Sequence, residues 1–357
     1  MACRGQDRHP RKRGIPVAAL TEIDSKVFSA REFRLESGQT LPVLELAYET
    51  YGVRSPQGDN GILVVHGYTS SHHAAGHNAK GKHGRGVTEG AAGWFDGLIG
   101  PGKAIDTDRY FVVSVNALGS AHGSTGPNGI DPRTGKPYGP TFPGITMRDM
   151  VASQKLLVDS LGLKSLVAVV GPSMGGFQSF QWAASYPGFM KAIVASVSAP
   201  RAPQRSGGLE QLQKRLARDS NWNGGWYYDN GGVAATLEQI RYETLLAYGQ
   251  TDDAAKAAAK SWAKVYDAHS LVTLRRAIDS FDITDQYAKV KAKVLYVQSK
   301  TDKLFDIALC PAYVTDMRKA GIDITYVELP SDKGHLASHA DAAMWAPILG
   351  AFVKSLG

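Results

Sequence analysis

Residues 165–185 read SLVAVVGPSMGGFQSFQWAAS, and this stretch decides the fold. Leu166 to Val170 form a short, uninterrupted apolar run rich in β-branched residues, the pattern of a strand buried on both faces. Beyond it, MGGFQSFQWAAS reads as a helix. The join is Gly171-Pro172-Ser173-Met174-Gly175, which fits G-x-S-x-G. That pattern is common by chance, but a strand directly before it and a helix directly after it give it meaning. A serine on so sharp a turn projects its hydroxyl clear of the sheet, and glycines two residues to either side remove side chains that would strike the neighbouring strand and helix. Ser173 is the candidate nucleophile. The backbone N–H of Met174, at the positive end of the helix, is a candidate oxyanion donor.

Working outward, residues 27 to 52 alternate polar and apolar around Ser37-Gly38, as an antiparallel hairpin does. Buried-strand runs follow at 62–66, 110–117, 165–171, 191–199, 292–299 and 323–330. Helical periodicity separates several of them, most clearly at Met147, Met150, Val151, Gln154, Leu157, Val158 and Leu161. The alternation predicts an α/β fold: a mostly parallel, eight-stranded sheet with helices on both faces. Two stretches break it. Residues 67–105, rich in Gly, His and Ala, read as a long loop at a strand's carboxyl end. Residues 200–285 carry helical patterns and no strand signal, which predicts a helical lid inserted into a core formed by 26–199 and 286–357.

A serine hydroxyl is a poor nucleophile until a base takes its proton, so a carboxylate and a histidine should follow at later strand ends. Asp302 follows AKVLYVQS and His335 follows DITYVELP. Asp306 and His339 are their nearest rivals. A second oxyanion donor belongs in the loop after ILVVH, where Tyr68 offers its backbone N–H. His72, His73, His77 and His83 share that loop. Their spacing lacks a helical i, i+4 pair and no acidic cluster accompanies them, so no metal or other cofactor is expected.

The formal charge of +7 raises the question of a polyanion partner. More than half of it comes from Arg4, Arg8, Arg11, Lys12 and Arg13 against Asp7, so the body is nearly balanced and no nucleic acid is expected. Residues 1–25 read as a disordered basic tail. No run approaches the roughly 20 apolar residues of a membrane span, and Ile15 to Leu20 is too short for a secretory signal. Only Cys3 and Cys310 are present, which excludes a disulfide framework and points to a cytoplasmic protein.

With these residues in place the sequence resembles the homoserine O-acetyltransferase family of the α/β-hydrolase fold, from about residue 40 onward. The resemblance is carried by WFDGLIGPGKAIDTDRYFVVSVNALGSAHGSTGP, GKPYGPTFPGITMRDMV, DSNWNGGWY and DKLFD. It implies Ser173, Asp302 and His335 as a triad, Tyr68 and Met174 as oxyanion donors, and a homodimer paired through the lid. There are departures. The family's acyltransferases have an aspartate directly after the catalytic histidine for the homoserine ammonium, and Leu336 stands there. They have an arginine six residues before the lid-motif aspartate for the carboxylate, and counting back from Asp219 gives Gln213. Pro172 replaces a glycine, and Gly67-Tyr68 replaces alanine-leucine. With both ligand charges unanswered, transfer to homoserine should collapse and hydrolysis of small, acetyl-type esters should remain. Acyl transfer from acyl-CoA to another alcohol is the alternative. Expected substrate-wall residues are Gln213, Trp226, Tyr227 and Leu336, with Arg205, Lys214, Arg215 and Arg218 as possible replacement cations.

Overall fold

In a computed structural model, residue 20 and residues 23–77, 91–203 and 207–357 are described. Eight strands form one sheet: β1 (Lys26–Arg34), β2 (Thr40–Tyr51), β3 (Gly61–Val65), β4 (Phe111–Val115), β5 (Leu166–Pro172), β6 (Met190–Ser196), β7 (Lys293–Ser299) and β8 (Ile324–Leu329). Their spatial order is β1-β2-β4-β3-β5-β6-β7-β8. β1 and β2 are antiparallel to each other, β2 is antiparallel to β4, and every later neighbour is parallel.

Alternation along the strands builds two cores. Leu63 and Val65 face one side, with Val169, Ile193 and the helices α1 (Met147–Ser160) and α2 (Met174–Ser185). Ile62 and Val64 face the other, with Ala168, Val170 and Val194 against Phe95, Leu98 and residues Trp345, Leu349 and Val353 of the helix Ala342–Lys354. Each large apolar side chain so buried contributes about 1.5–3 kcal/mol relative to exposure. Thr146 opens α1 with a reciprocal capping box to Asp149.

Between β6 and β7 lie α3 (Gly208–Ala217), α4 (Ala234–Ala247), α5 (Asp252–Ala263) and α6 (Ala268–Asp279). The chain leaves and re-enters the core at adjacent points, since Ala202 N–H donates to the Phe281 carbonyl and Ile283 N–H to that of Pro200. Asp267 caps α6 through the Ser270 N–H and also accepts from Tyr228, while Tyr227 donates to the same carboxylate. Tyr227, the last residue of DSNWNGGWY, and its neighbour Tyr228 thereby tie that segment to the start of α6.

The basic tail expected over 1–25 lies outside the described residues as far as residue 19. At its end the chain packs on the body: Ile23 joins the second core, and the Ser25 hydroxyl reaches Glu49 and His72. The boundary therefore falls before Ile23. Among the described residues no helix is long and apolar enough to cross a membrane.

Candidate active site

Ser173 lies between β5 and α2 with φ +55° and ψ −121°, a conformation that costs a non-glycine residue about 1–3 kcal/mol. Its surroundings hold it there. The Ser173 N–H donates to the Ser196 carbonyl at 2.9 Å, and the Ser173 carbonyl accepts from Gly176 N–H at 2.8 Å and from the Ser198 hydroxyl at 2.7 Å. The flanking glycines are steric necessities. A Cβ on Gly171 would sit 2.5 Å from the Gly175 backbone, and one on Gly175 would sit 2.2 Å from the Val65 carbonyl oxygen.

Three side chains from three strand ends meet. Ser173 Oγ–H donates to His335 Nε2 at 2.9 Å, and His335 Nδ1–H donates to Asp302 Oδ2 at 2.9 Å. The other carboxylate oxygen of Asp302 accepts from the Leu304 N–H at 2.7 Å, which fixes the side chain's direction. His335 is stacked on Phe305, with ring centroids 5.7 Å apart. The rival Asp306 points elsewhere and caps a turn through Ala308 N–H. His339 is exposed at the rim of the cavity that His335 lines.

Met174 supplies the first N–H of α2, one of the four helix-start donors without an intrahelical partner. Gly67 lies against the turn, where a Cβ would be 3.7 Å from that of Ser173. The Tyr68 N–H makes no backbone hydrogen bond among the described residues. The insertion steadies this loop: Tyr68 donates its hydroxyl to the Leu271 carbonyl at 2.7 Å, and Tyr266 donates to the Tyr68 carbonyl at 3.1 Å. Beneath it, His73 bonds the buried Glu49 carboxylate at 3.0 Å and His72 bonds Ser25 at 2.8 Å. His83 lies outside the described residues. Among those described, no group of His, Cys, Asp and Glu is arranged to hold a metal.

Two cavities meet at Ser173 and share Tyr68 and Tyr248. One, of about 310 Å³, is lined by His335, Leu336, Trp94, Thr69, Leu245 and Arg241. The other, of about 250 Å³, is lined by Met174, Phe177, Ile278, Leu304, Phe305 and Ala247, with Arg275 and Asp279 at its wall.

Of the expected wall residues, Leu336 is in place and three are not. Gln213 is exposed on α3, Trp226 lies against Gly139 with 42% of its surface exposed, and Tyr227 is spent on Asp267. The proposed replacement cations are also elsewhere: Lys214 pairs with Glu210, Arg215 pairs with Glu243, Arg218 is exposed, and Arg205 lies outside the described residues. The cation that lines the cavity on the His335 side is Arg241 of α4, which sequence reasoning missed. Its Nη1 donates to Thr69 Oγ1 at 2.7 Å, its guanidinium lies 5.3 Å from the Trp262 ring centroid, and its buried Nε has no partner. Among the described residues no carboxylate pairs with it.

A family model for the alpha/beta hydrolase fold matches residues 61–341. Over 95% of its length, this chain is 35% identical to the homoserine O-acetyltransferase of the archaeon Methanosalsum zhilinae, covering 74% of that protein. The chain belongs to the homoserine O-acetyltransferase family of α/β hydrolases. Solved structures of similar shape carry two activities in their names. Esterase E22 superposes with a TM-score of 0.81 at 32% identity, over 93% of this chain and 100% of the other. The homoserine O-acetyltransferase from Bacillus anthracis gives the same TM-score at 26% identity, over 93% and 98%.

Proposed function

We propose that this family member is a carboxylic ester hydrolase that works through an acyl-enzyme at Ser173. His335 Nε2 takes the Ser173 proton as Oγ attacks the ester carbonyl, and Asp302 holds the resulting imidazolium. The oxyanion sits between the N–H groups of Tyr68 and Met174. His335 then protonates the leaving alkoxide, so the alcohol half must occupy the cavity that His335 lines. The acyl half occupies the other. Water, deprotonated by the same imidazole, attacks the acyl-enzyme and releases the acid.

The observation that carries hydrolysis over transfer is Leu336. A zwitterionic acceptor brings an ammonium into the alcohol-side cavity, whose described lining contains no carboxylate. An unanswered buried charge costs about 3–5 kcal/mol, or roughly two to four orders of magnitude in rate. Water bears no such penalty.

Arg241 lines the same cavity, so a carboxylate on the alcohol would be answered. It favours a second reading, O-acyl transfer to a hydroxylated acceptor bearing a carboxylate, and the names of the curated relatives favour transfer as well. The test is product partition. Purified enzyme with p-nitrophenyl acetate or acetyl-CoA is offered homoserine or a simple hydroxy acid, and free acetate is measured against O-acetyl product. Acetate as the main product at saturating acceptor supports hydrolysis; an O-acetyl product in excess rejects it in favour of transfer.

A further inference from the structure

We infer that the acyl group this enzyme accepts best is a neutral chain of about four to six carbons rather than acetyl. This rests on the acyl-enzyme reading, which assigns the cavity away from His335 to the acyl half. That cavity measures about 250 Å³. The methyl of an acetyl group needs little more than the ~30 Å³ share of one water molecule, so acetyl would leave most of the space wet. Its walls do not suit water. Phe177 and Phe305 form one side in T-shaped contact, and Ile278, Leu304, Ala247 and Pro203 complete an apolar sleeve leading away from Ser173.

The ionic part of the lining also decides the charge of the chain. Arg275 and Asp279 are the ionic groups lining this cavity among the described residues, and they bind each other, Nε to Oδ1, at 2.7 Å across one turn of α6. The Arg275 guanidinium also lies against the backbone of Gly208, where a Cβ would be 2.3 Å from Nη2. A cation held in this way by its own carboxylate offers no net charge to a ligand. The pair leaves the lining without net charge and selects against a second carboxylate. Each methylene moved from water into the sleeve is worth about fourfold in kcat/KM.

The experiment is a p-nitrophenyl ester series from acetate through butyrate and hexanoate to decanoate, with the p-nitrophenyl hemisuccinate alongside. Release of p-nitrophenolate reads acylation of Ser173, whichever acceptor completes the turnover, so failure here is separable from failure of the hydrolase proposal. The expected kcat/KM rises by about tenfold or more from acetate to butyrate or hexanoate and falls by decanoate. Narrowing the sleeve from two helices, by Ala247→Phe on α4 and Ile278→Phe on α6, lowers the hexanoate-to-acetate ratio by about tenfold. Each variant's own acetate rate is its control for folding. A kcat/KM that declines steadily from acetate, a hemisuccinate preferred to butyrate, or an unchanged ratio in both variants overturns the inference.

Discussion

His66 Nδ1 donates a 2.7 Å hydrogen bond to the carbonyl oxygen of Gly67, the next residue in the chain. The tautomer is fixed from the other side, because Nε2 accepts from the Ala117 N–H at 2.9 Å. In a planar trans peptide the carbonyl and the following N–H point in opposite directions. Anchoring the Gly67 oxygen therefore aims the Tyr68 N–H, the donor expected to meet the oxyanion. His66 is a positioning residue. His66→Leu should lower kcat by about 10- to 100-fold with KM changed little, since the lost interaction matters in the transition state. His66→Asn, whose amide can donate from the Nδ1 position, should recover most of the loss. Equal loss in both variants, or a lost KM with kcat intact, would speak against positioning.

The triad makes its own pH demand. His335 must be neutral to take the Ser173 proton, so kcat/KM should rise from acid pH to a plateau. Ser173→Ala should lose about four orders of magnitude or more in kcat together with labelling by a fluorophosphonate. A profile that does not fall in acid, with labelling retained in the variant, would remove the serine mechanism.

Buried histidines make stability depend on pH in the same acid range. Burial lowers His66 to about 4 and His72 well below its ordinary value. Above pH ~6.5 both are neutral whether folded or unfolded; below it the unfolded chain takes up protons that the folded one refuses, so stability falls as pH drops. His66 alone accounts for on the order of 3 kcal/mol between pH ~6.5 and ~4. His73 works the other way: burial by itself would lower it, but the hydrogen bond and charge of Glu49 raise it. His339, on the cavity rim, is likewise lowered to about 4, chiefly by desolvation, so three against one gives a net loss in acid. Urea midpoints at pH 7, 5.5 and 4.5 should decrease in that order, and His66→Gln should flatten the trend.

Leu336 and Arg241 divide the alcohol-side cavity into an apolar and a cationic half. Leu336→Asp should raise acetyl transfer to homoserine relative to hydrolysis by about tenfold or more, since it supplies the missing partner for the ammonium. Arg241→Gln should raise KM by about 10- to 100-fold for esters whose alcohol carries a carboxylate, a charge-assisted hydrogen bond being worth about 1.5–3 kcal/mol. Uncharged alcohol esters should be nearly unaffected. Steady-state kinetics on a matched pair of esters checks both.

What the sequence alone determined is whatever is written in local chemistry. Ser173 could be read because a strained turn demands glycines at fixed offsets, and a buried parallel sheet demands uninterrupted apolar runs. Asp302 and His335 followed from their places just after such runs, where strand ends share one edge. The alcohol pocket had no such local signature. Arg241 sits in a polar helical stretch indistinguishable from its basic neighbours, and only the packing of α4 against the loop after β3 brings it into the cavity that Leu336 lines. Counting from a motif led instead to Gln213, which the packing of α3 leaves in solvent. Residue spacing fixes direction within one helix or strand, whereas the walls of a cavity come from elements far apart in the chain.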